Sequence, residues 1–336
     1  MSIGRLYPWH REAQLRLMTA LNNHQLAHAW LFCGPEHLGK LDFALAFVSS
    51  LLCEKPRETG ACGDCSGCRL LKAGTHSDLR ILTLEEDSKQ IKIDQVRDFL
   101  EWAVQSTQAG GFKTAIIWPA ERMNRNAANA LLKYLEEPAG NRVIILVTHQ
   151  PDRLPATIRS RCQRINFVAP PRNEAIEWLS RDIQDTALKE RIAELLELAR
   201  GAPLKVKRLF TDEYLKLREE FFSGLGDILA GKKTPLKMAA EFEKADLANL
   251  IELWFELLWE IQRKDYRTEP AAALEQGIIG KIQQYYGAEN IFRFLDRLSE
   301  ARKMLAANYN LNARLILEEL LIGWSERNDP SSPNTY

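Results

Sequence analysis

Short apolar segments alternate with helical patterns through the first half of the chain. Four continuously apolar segments predict strands, at residues 29–33, 79–84, 115–118 and 143–148. Helical periodicity lies between them, at residues 41–52, 93–104 and 126–137. Apolar strands that alternate with helices are typical of a parallel sheet covered by helices on both faces. The first half therefore predicts an α/β domain.

The second half of the chain shows only helical periodicity. Pro170 and Pro171 predict a linker, because neither residue supports a continuing strand or helix. A helical segment follows at residues 172–210 and is interrupted at Gly201-Ala202-Pro203. The strongest later pattern is a wide apolar helix face, formed by Leu247, Leu250, Ile251, Trp254, Leu257, Leu258 and Ile261. Residues 328–336 are polar, contain two prolines and are predicted to be disordered.

Composition narrows the class of protein. The 336 residues suffice for two or three domains, and 46% of them are hydrophobic. The 45 Lys and Arg residues balance 45 Asp and Glu residues, which argues against DNA binding by bulk positive charge. No signal peptide is evident, and no apolar run approaches the ~20 residues of a membrane span. We therefore expect a soluble, cytoplasmic protein without a membrane partner.

A phosphate-loop pattern follows the first predicted strand. Gly34, Gly39 and Lys40 keep the spacing of G-x-x-x-x-G-K-[ST], in which backbone N–H groups and the lysine bind phosphates. Leu41 replaces the hydroxyl that binds magnesium, and His37 adds bulk inside the loop. The alternative is an ordinary Gly-Pro turn with a solvated Lys40.

The second element of a nucleotide site is also incomplete. In phosphate-loop NTPases, an acidic residue after a buried strand holds the metal ion. Here Trp118 and Pro119 follow the strand, and Glu121 comes only after the proline. Magnesium thus lacks both protein ligands. We therefore expect no functional ATP/Mg²⁺ site and no significant ATP hydrolysis by this chain.

A cluster of cysteines predicts a structural zinc site. Cys62, Cys65 and Cys68 are spaced at intervals of three residues among glycines, and Cys53 precedes them. Four N or S ligands satisfy tetrahedral zinc and leave no open position for a substrate. His76 is the alternative fourth ligand, and free thiols in a flexible loop are the alternative to a metal site. The charges around the cluster are mixed, which argues against DNA contact there.

Two further motifs complete a family resemblance. The sequence Ala-Ala-Asn-Ala-Leu-Leu-Lys-Tyr-Leu-Glu-Glu-Pro occupies residues 127–138, and Ser160-Arg161-Cys162 follows. With the degenerate loop and the cysteine cluster, this series resembles the AAA+ subunits of bacterial replicative clamp loaders across essentially the whole chain. The loss of both magnesium ligands resembles a subunit that does not hydrolyse ATP, rather than the gamma/tau motor. The resemblance also favours Cys53 as the fourth zinc ligand.

The resemblance implies a three-domain organisation. Residues 1–168 would form a RecA-like AAA+ domain with a parallel sheet and an inserted zinc knuckle at 53–68. Residues 169–209 would form a small helical lid. Residues 210–327 would form an all-α collar that joins subunits into a ring.

The resemblance also implies roles for single residues. Arg161, with Ser160 and Cys162 as motif neighbours, would reach across a subunit interface as an arginine finger to ATP held by a neighbour; the alternative is an ordinary surface arginine. Thr148 matches the position of a γ-phosphate sensor, and Leu204 stands where the family has a second, arginine sensor.

The implied partners are the gamma/tau and delta subunits and, through the complex, the beta sliding clamp and primer-template DNA, at the replisome on the nucleoid. One alternative is an active AAA+ ATPase, either a loader motor or a branch-migration helicase, which Leu41, Trp118 and Pro119 oppose. Another is a standalone zinc-dependent nucleic-acid-binding protein, which the zero net charge opposes.

Overall fold

The computed structural model describes most of the chain, namely residues 4–57, 60–85, 88–108, 111–136, 140–183, 189, 192–193, 195–197, 199–209, 212–264, 282, 288–306 and 312–326. The chain divides into two compact units, residues 1–208 and 209–336. In the described part, no helix is long and apolar enough to cross a membrane. The tail predicted to be disordered, 328–336, and the last two residues of the 127–138 motif lie outside the described residues. The three-domain division stays a prediction.

The first unit contains a five-stranded sheet in the order β2-β3-β4-β1-β5, with every pair parallel. The strands are β1 (Ala29–Cys33), β2 (Leu79–Leu82), β3 (Lys113–Ile117), β4 (Arg142–Thr148) and β5 (Gln163–Asn166). The parallel α/β sheet predicted from the sequence is thus confirmed. All five residues of β1 are buried, as expected for a strand with a partner on both sides and a helix layer on each face.

The described part of the first unit also contains eight α-helices. They are α1 (Arg11–Asn22), α2 (Lys40–Leu51), α3 (Ser66–Ala73), α4 (Ile93–Val104), α5 (Arg125–Glu136), α6 (Ala156–Arg159), α7 (Arg172–Asp182) and α8 (Pro203–Leu209). Alternate residues of β1 separate two hydrophobic cores. Trp30 and Phe32 face a core with Phe43 of α2, whereas Leu31 faces a core with Phe99 of α4.

The regular elements described in the second unit are all helices. Its helices are α9 (Asp212–Leu229), α10 (Pro235–Glu241), α11 (Leu247–Lys264), α12 (Ala288–Ala306) and α13 (Ala313–Ser325). All seven residues of the apolar face predicted for residues 247–261 are buried. Trp254 of that face lies 5.4 Å from the ring of Trp324 and 5.0 Å from the ring of Phe294. These aromatic residues form the centre of the helical core.

Candidate functional site

The phosphate loop lies between β1 and α2, as the sequence pattern requires. Gly34 has φ +141°, and a Cβ there would lie 2.1 Å from the carbonyl oxygen of Phe167. Gly39 has φ +76° and immediately precedes the first residue of α2. Both positions need glycine, because a side chain is strained at these angles and a Cβ at Gly39 would also lie 2.5 Å from the Tyr7 ring.

Lys40 is turned back onto its own loop. Its side chain is buried, with 2% of the residue exposed, and its Nζ donates to the carbonyl oxygen of Gly34 at 2.7 Å and to that of Pro35. Burial lowers the pKa of Lys40 to about 8. Lys40 is therefore not the solvated turn residue of the alternative interpretation, and it occupies its donors with loop carbonyls rather than directing them to solvent.

An open cleft of about 440 Å³ lies beside the loop. Residues from the loop, from the segment after β3, from the end of β4 and from α8 line it, namely Glu36, His37, Gly39, Lys40, Leu41, Asp42, Trp118, Pro119, Glu121, Arg122, His149, Gln150 and Leu204. Three of the sequence-predicted departures from an active nucleotide site, Leu41, Trp118 and Leu204, thus lie around one cavity. None of these three side chains offers a ligand to magnesium or a charge to phosphate.

Glu121 also lines this cleft, which the sequence analysis did not foresee. A cis peptide joins Trp118 to Pro119, and a short 3-10 helix, Ala120–Arg122, follows. Glu121 is 8% exposed, and its Oε1 accepts a hydrogen bond from the backbone N–H of His149 at 3.3 Å. Its Oε2 has no hydrogen-bond partner within the described part of the chain. In the sequence, only the acidic residue type of Glu121 indicated a place in the site, because the direction of the chain after Pro119 cannot be read from a local pattern.

The end of β4 places a polar pair beside Glu121. Thr148 is buried and its Oγ1 accepts from the backbone N–H of Gln150 at 3.1 Å, so it caps the strand. Burial, together with the positive charge of Lys40, lowers the pKa of His149 to about 4. The imidazole is therefore neutral at physiological pH, and the charged residues that line the cleft are Glu36, Lys40, Asp42, Glu121 and Arg122.

Arg161 lies outside this cleft, directly after α6. Its Nη2 is 2.5 Å from Oε1 of Glu136, and its Nη1 donates to the carbonyl oxygen of Thr157 at 2.9 Å. Its side chain remains 34% exposed. The guanidinium is therefore fixed at the surface and does not line the nucleotide cleft of its own chain.

The neighbours of Arg161 have different surroundings. Ser160 Oγ donates to the carbonyl oxygen of Thr157 at 3.1 Å, and burial raises the pKa of the Cys162 thiol to about 12. Arg159 pairs with Asp152 at 3.0 Å, and Arg164 donates to the sulfur of Cys33 at 2.9 Å. The arginines on either side thus have partners on other elements of the fold.

The four predicted metal ligands lie together. The Sγ atoms of Cys53, Cys62, Cys65 and Cys68 are all within 4.8 Å of one another. Cys53 and Cys65 are separated by 3.8 Å, and Cys62 and Cys68 by 3.9 Å. A tetrahedral zinc ion with Zn–S bonds of about 2.3 Å requires sulfur–sulfur separations of about 3.8 Å. The donor set and its spacing therefore could hold a metal ion.

Backbone N–H groups donate to three of the four sulfurs, whereas burial raises the pKa of Cys53 and raises that of Cys68 to about 12. The N–H groups of Cys62, Cys65 and Cys68 donate to the sulfurs of Cys53, Cys62 and Cys65, at 3.2, 3.4 and 3.4 Å. Backbone N–H groups of Asp64 and Cys65 lower the pKa of Cys62 to about 6. His76, the alternative ligand, is not part of the sulfur cluster, and its Nδ1 accepts a hydrogen bond from the N–H of Asp78 at 3.2 Å.

Comparisons with known proteins agree with one another. A family described as "DNA polymerase III, delta subunit" matches residues 9–171, and "DNA polymerase III, delta subunit, C terminal" matches residues 212–326. The DNA polymerase III subunit delta' of Pseudomonas aeruginosa is 38% identical over 331 residues, which cover 97% of this chain and 99% of that protein. The Escherichia coli K12 subunit of the same name is 30% identical over 320 residues, 95% of each chain. The DNA polymerase III subunit tau of Bacillus subtilis is 29% identical over 215 residues, 63% of this chain and 36% of that one.

Proposed function

The chain belongs to the family of DNA polymerase III delta-prime subunits, and from this premise we propose that it is the non-hydrolysing stator of the clamp loader. In this role it would contribute Arg161 as an arginine finger in trans and help to load the beta sliding clamp on primed DNA during chromosome replication. It would work within the DNA polymerase III holoenzyme, without polymerase or ATPase activity of its own.

One observation carries the proposal. The cleft beside the phosphate loop lacks a hydroxyl at Leu41 and an acid at Trp118, and Lys40 is engaged by loop carbonyls. Arg161, by contrast, is surface-exposed and lies away from that cleft. Positioning and charge stabilisation supply nearly all of the catalysis in phosphoryl transfer, and a planar guanidinium supplies both to phosphate oxygens. A chain that cannot complete its own site would thus complete the site of a neighbour.

The partners follow from this role. The gamma/tau and delta subunits would be direct neighbours in the ring, through the helical second unit. The beta clamp and primer-template DNA would be reached through the assembled loader. The balance of 45 basic and 45 acidic residues supports indirect rather than independent DNA binding.

A reconstituted loader tests the arginine finger. Arg161→Ala should slow ATP hydrolysis at the neighbouring site at least about ten-fold, because fingers in related systems contribute roughly 10³–10⁵ in turnover. Arg181→Ala is the matched control, since Arg181 is exposed and also contacts a glutamate at 2.5 Å. Unchanged ATPase and clamp-loading rates for Arg161→Ala would dismiss the role. Steady ATP turnover by the homogeneous isolated chain would instead support the active-ATPase alternative.

For the cysteine cluster, we infer a structural Zn²⁺ held by Cys53, Cys62, Cys65 and Cys68. Four thiolates are the usual donor set of closed zinc sites, and such a site pins a loop rather than performing catalysis. Metal analysis should find one zinc per chain in the wild type and less than half of that in Cys68→Ser. Cys162→Ala, which changes a cysteine outside the cluster, should retain the zinc. A wild-type content well below one zinc per chain would contradict the assignment.

A further inference from the structure

Glu136 contacts the candidate finger directly. It is the last residue of α5, whereas Arg161 follows α6, so the packing of two separate helices brings the carboxylate and the guanidinium together. We propose that Glu136 is a positioning residue for Arg161, which orients the guanidinium toward the phosphates held by the neighbouring subunit. This inference rests on the proposed function of Arg161 in trans.

The contacts fix the plane of the guanidinium without occupying all of its donors. Arginine has five N–H donors in a rigid planar fork. Glu136 engages Nη2, and the carbonyl oxygen of Thr157 engages Nη1. Two contacts on different terminal nitrogens determine the orientation of a planar group. The side chain is still 34% exposed, so these two contacts do not enclose the guanidinium.

The opposite interpretation is a latch, in which Glu136 holds Arg161 in an inactive orientation. A latch would bury the guanidinium or engage its whole donor set, so that the arginine had to leave Glu136 before acting. Here both side chains are partly exposed, Arg161 at 34% and Glu136 at 47%. An arginine that is already ordered loses less rotamer freedom when it meets a phosphate. The geometry therefore favours positioning, and the two interpretations predict opposite effects of removing the carboxylate.

The test uses the complete reconstituted loader. Glu136→Ala should lower kcat for ATP about ten-fold and leave KM nearly unchanged, because the free energy of ordering an arginine side chain corresponds to about that factor. Glu136→Gln keeps an acceptor oxygen but loses the charge, and should fall between the wild type and Glu136→Ala. Glu177→Ala is the matched control, since Glu177 contacts Arg181 at the same 2.5 Å on an exposed helix, and it should keep the wild-type rate.

A double variant separates positioning from general structural support. Glu136→Ala combined with Arg161→Ala should be no slower than Arg161→Ala alone, because Glu136 acts through Arg161. A double variant slower than Arg161→Ala, or a Glu136→Ala rate equal to or above wild type, would overturn the inference. A normal rate for Arg161→Ala would refute the finger itself. A slow Arg161→Ala with a normal Glu136→Ala would refute only the role of Glu136.

Discussion

Replacing Lys113 with methionine should destabilise the α/β unit, because it leaves the buried carboxylate of Asp78 without its cation. Lys113 begins β3 and Asp78 precedes β2, and their side chains are 3% and 0% exposed. Lys113 Nζ lies 3.7 Å from Asp78 Oδ1 and 4.6 Å from the ring centroid of Trp102. The pair therefore joins the amino-terminal ends of two neighbouring strands to α4.

The magnitude follows from burial and distance. At 3.7 Å and an effective dielectric constant of about 20, the attraction between unit charges is about 4 kcal/mol. Removing one partner of a buried pair typically costs about 3–5 kcal/mol, since the remaining charge is uncompensated. The backbone N–H of Gln108 still donates to both carboxylate oxygens of Asp78, at 3.2 and 3.1 Å. We therefore expect a loss of about 3 kcal/mol, at the lower end of that range.

Hydrogen exchange of the β2 and β3 amides measures this loss in the unit that carries the pair. Arg97→Met is the control, because Arg97 pairs with Asp94 on an exposed surface at 3.3 Å and should cost less than about 0.5 kcal/mol. Combining Lys113→Met with Asp78→Asn should recover part of the stability, since no buried charge remains. A loss below about 1 kcal/mol for Lys113→Met, or one no larger than that of Arg97→Met, would refute the reasoning.

Three further predictions concern folding. Burial lowers the pKa of His10 from 6.5 to about 4, so its contribution to the free energy of unfolding should be full above pH 6.5 and fall by about 2–3 kcal/mol toward pH 4. In urea unfolding, His10→Gln should reduce the dependence of this free energy on pH. An unchanged pH dependence would contradict the prediction. Gly34→Ala would place a Cβ 2.1 Å from the carbonyl oxygen of Phe167 and should lower the free energy of unfolding by at least about 2 kcal/mol, measured by thermal unfolding. Gly111 has open space around it, so Gly111→Ala should lower this free energy little. Equal losses for the two variants would contradict the prediction. Trp324→Phe removes the 3.2 Å hydrogen bond from the indole N–H to the carbonyl oxygen of Leu225. The free energy of unfolding of the helical unit should fall by about 1–2 kcal/mol. A loss below about 0.3 kcal/mol would contradict the prediction.

The sequence predicted the buried elements well and the polar ones poorly. The helix predicted at 93–104 has the bounds Ile93–Val104, because its apolar positions repeat at helical period on one side. β5 was missed, since only Ile165 among its four residues is buried. An edge strand with one partner carries little hydrophobic signal. The strand predicted to begin at residue 115 begins at Lys113. Lys113 is buried, but a charged side chain does not belong to an apolar pattern, so the sequence placed the start of the strand too late.

Local spacing in the sequence is enough to bring the cysteine sulfurs together. Cys62, Cys65 and Cys68 are close in sequence, so a tight loop brings their sulfurs together. Glu121 and Glu136 could not be found in this way. Their positions depend on how the chain turns after Pro119 and on how α5 packs against α6, and neither appears in a local pattern. Long-range packing therefore decides the electrostatics around both the cleft and Arg161.

The conformation of the phosphate loop has a packing explanation. Gly34 contacts the backbone at Phe167, so the loop closes the end of the sheet beside β5. The carbonyl oxygen of Leu38 accepts the indole N–H of Trp9 at 3.0 Å and lies 2.7 Å from His10 Nε2. Lys40 supplies donors to loop carbonyls from within. Each contact stabilises the loop conformation without a nucleotide, because loop carbonyl oxygens find protein donors and Lys40 Nζ, a donor that a phosphate would otherwise engage, binds two of them. The loop conformation is therefore held by packing within the fold.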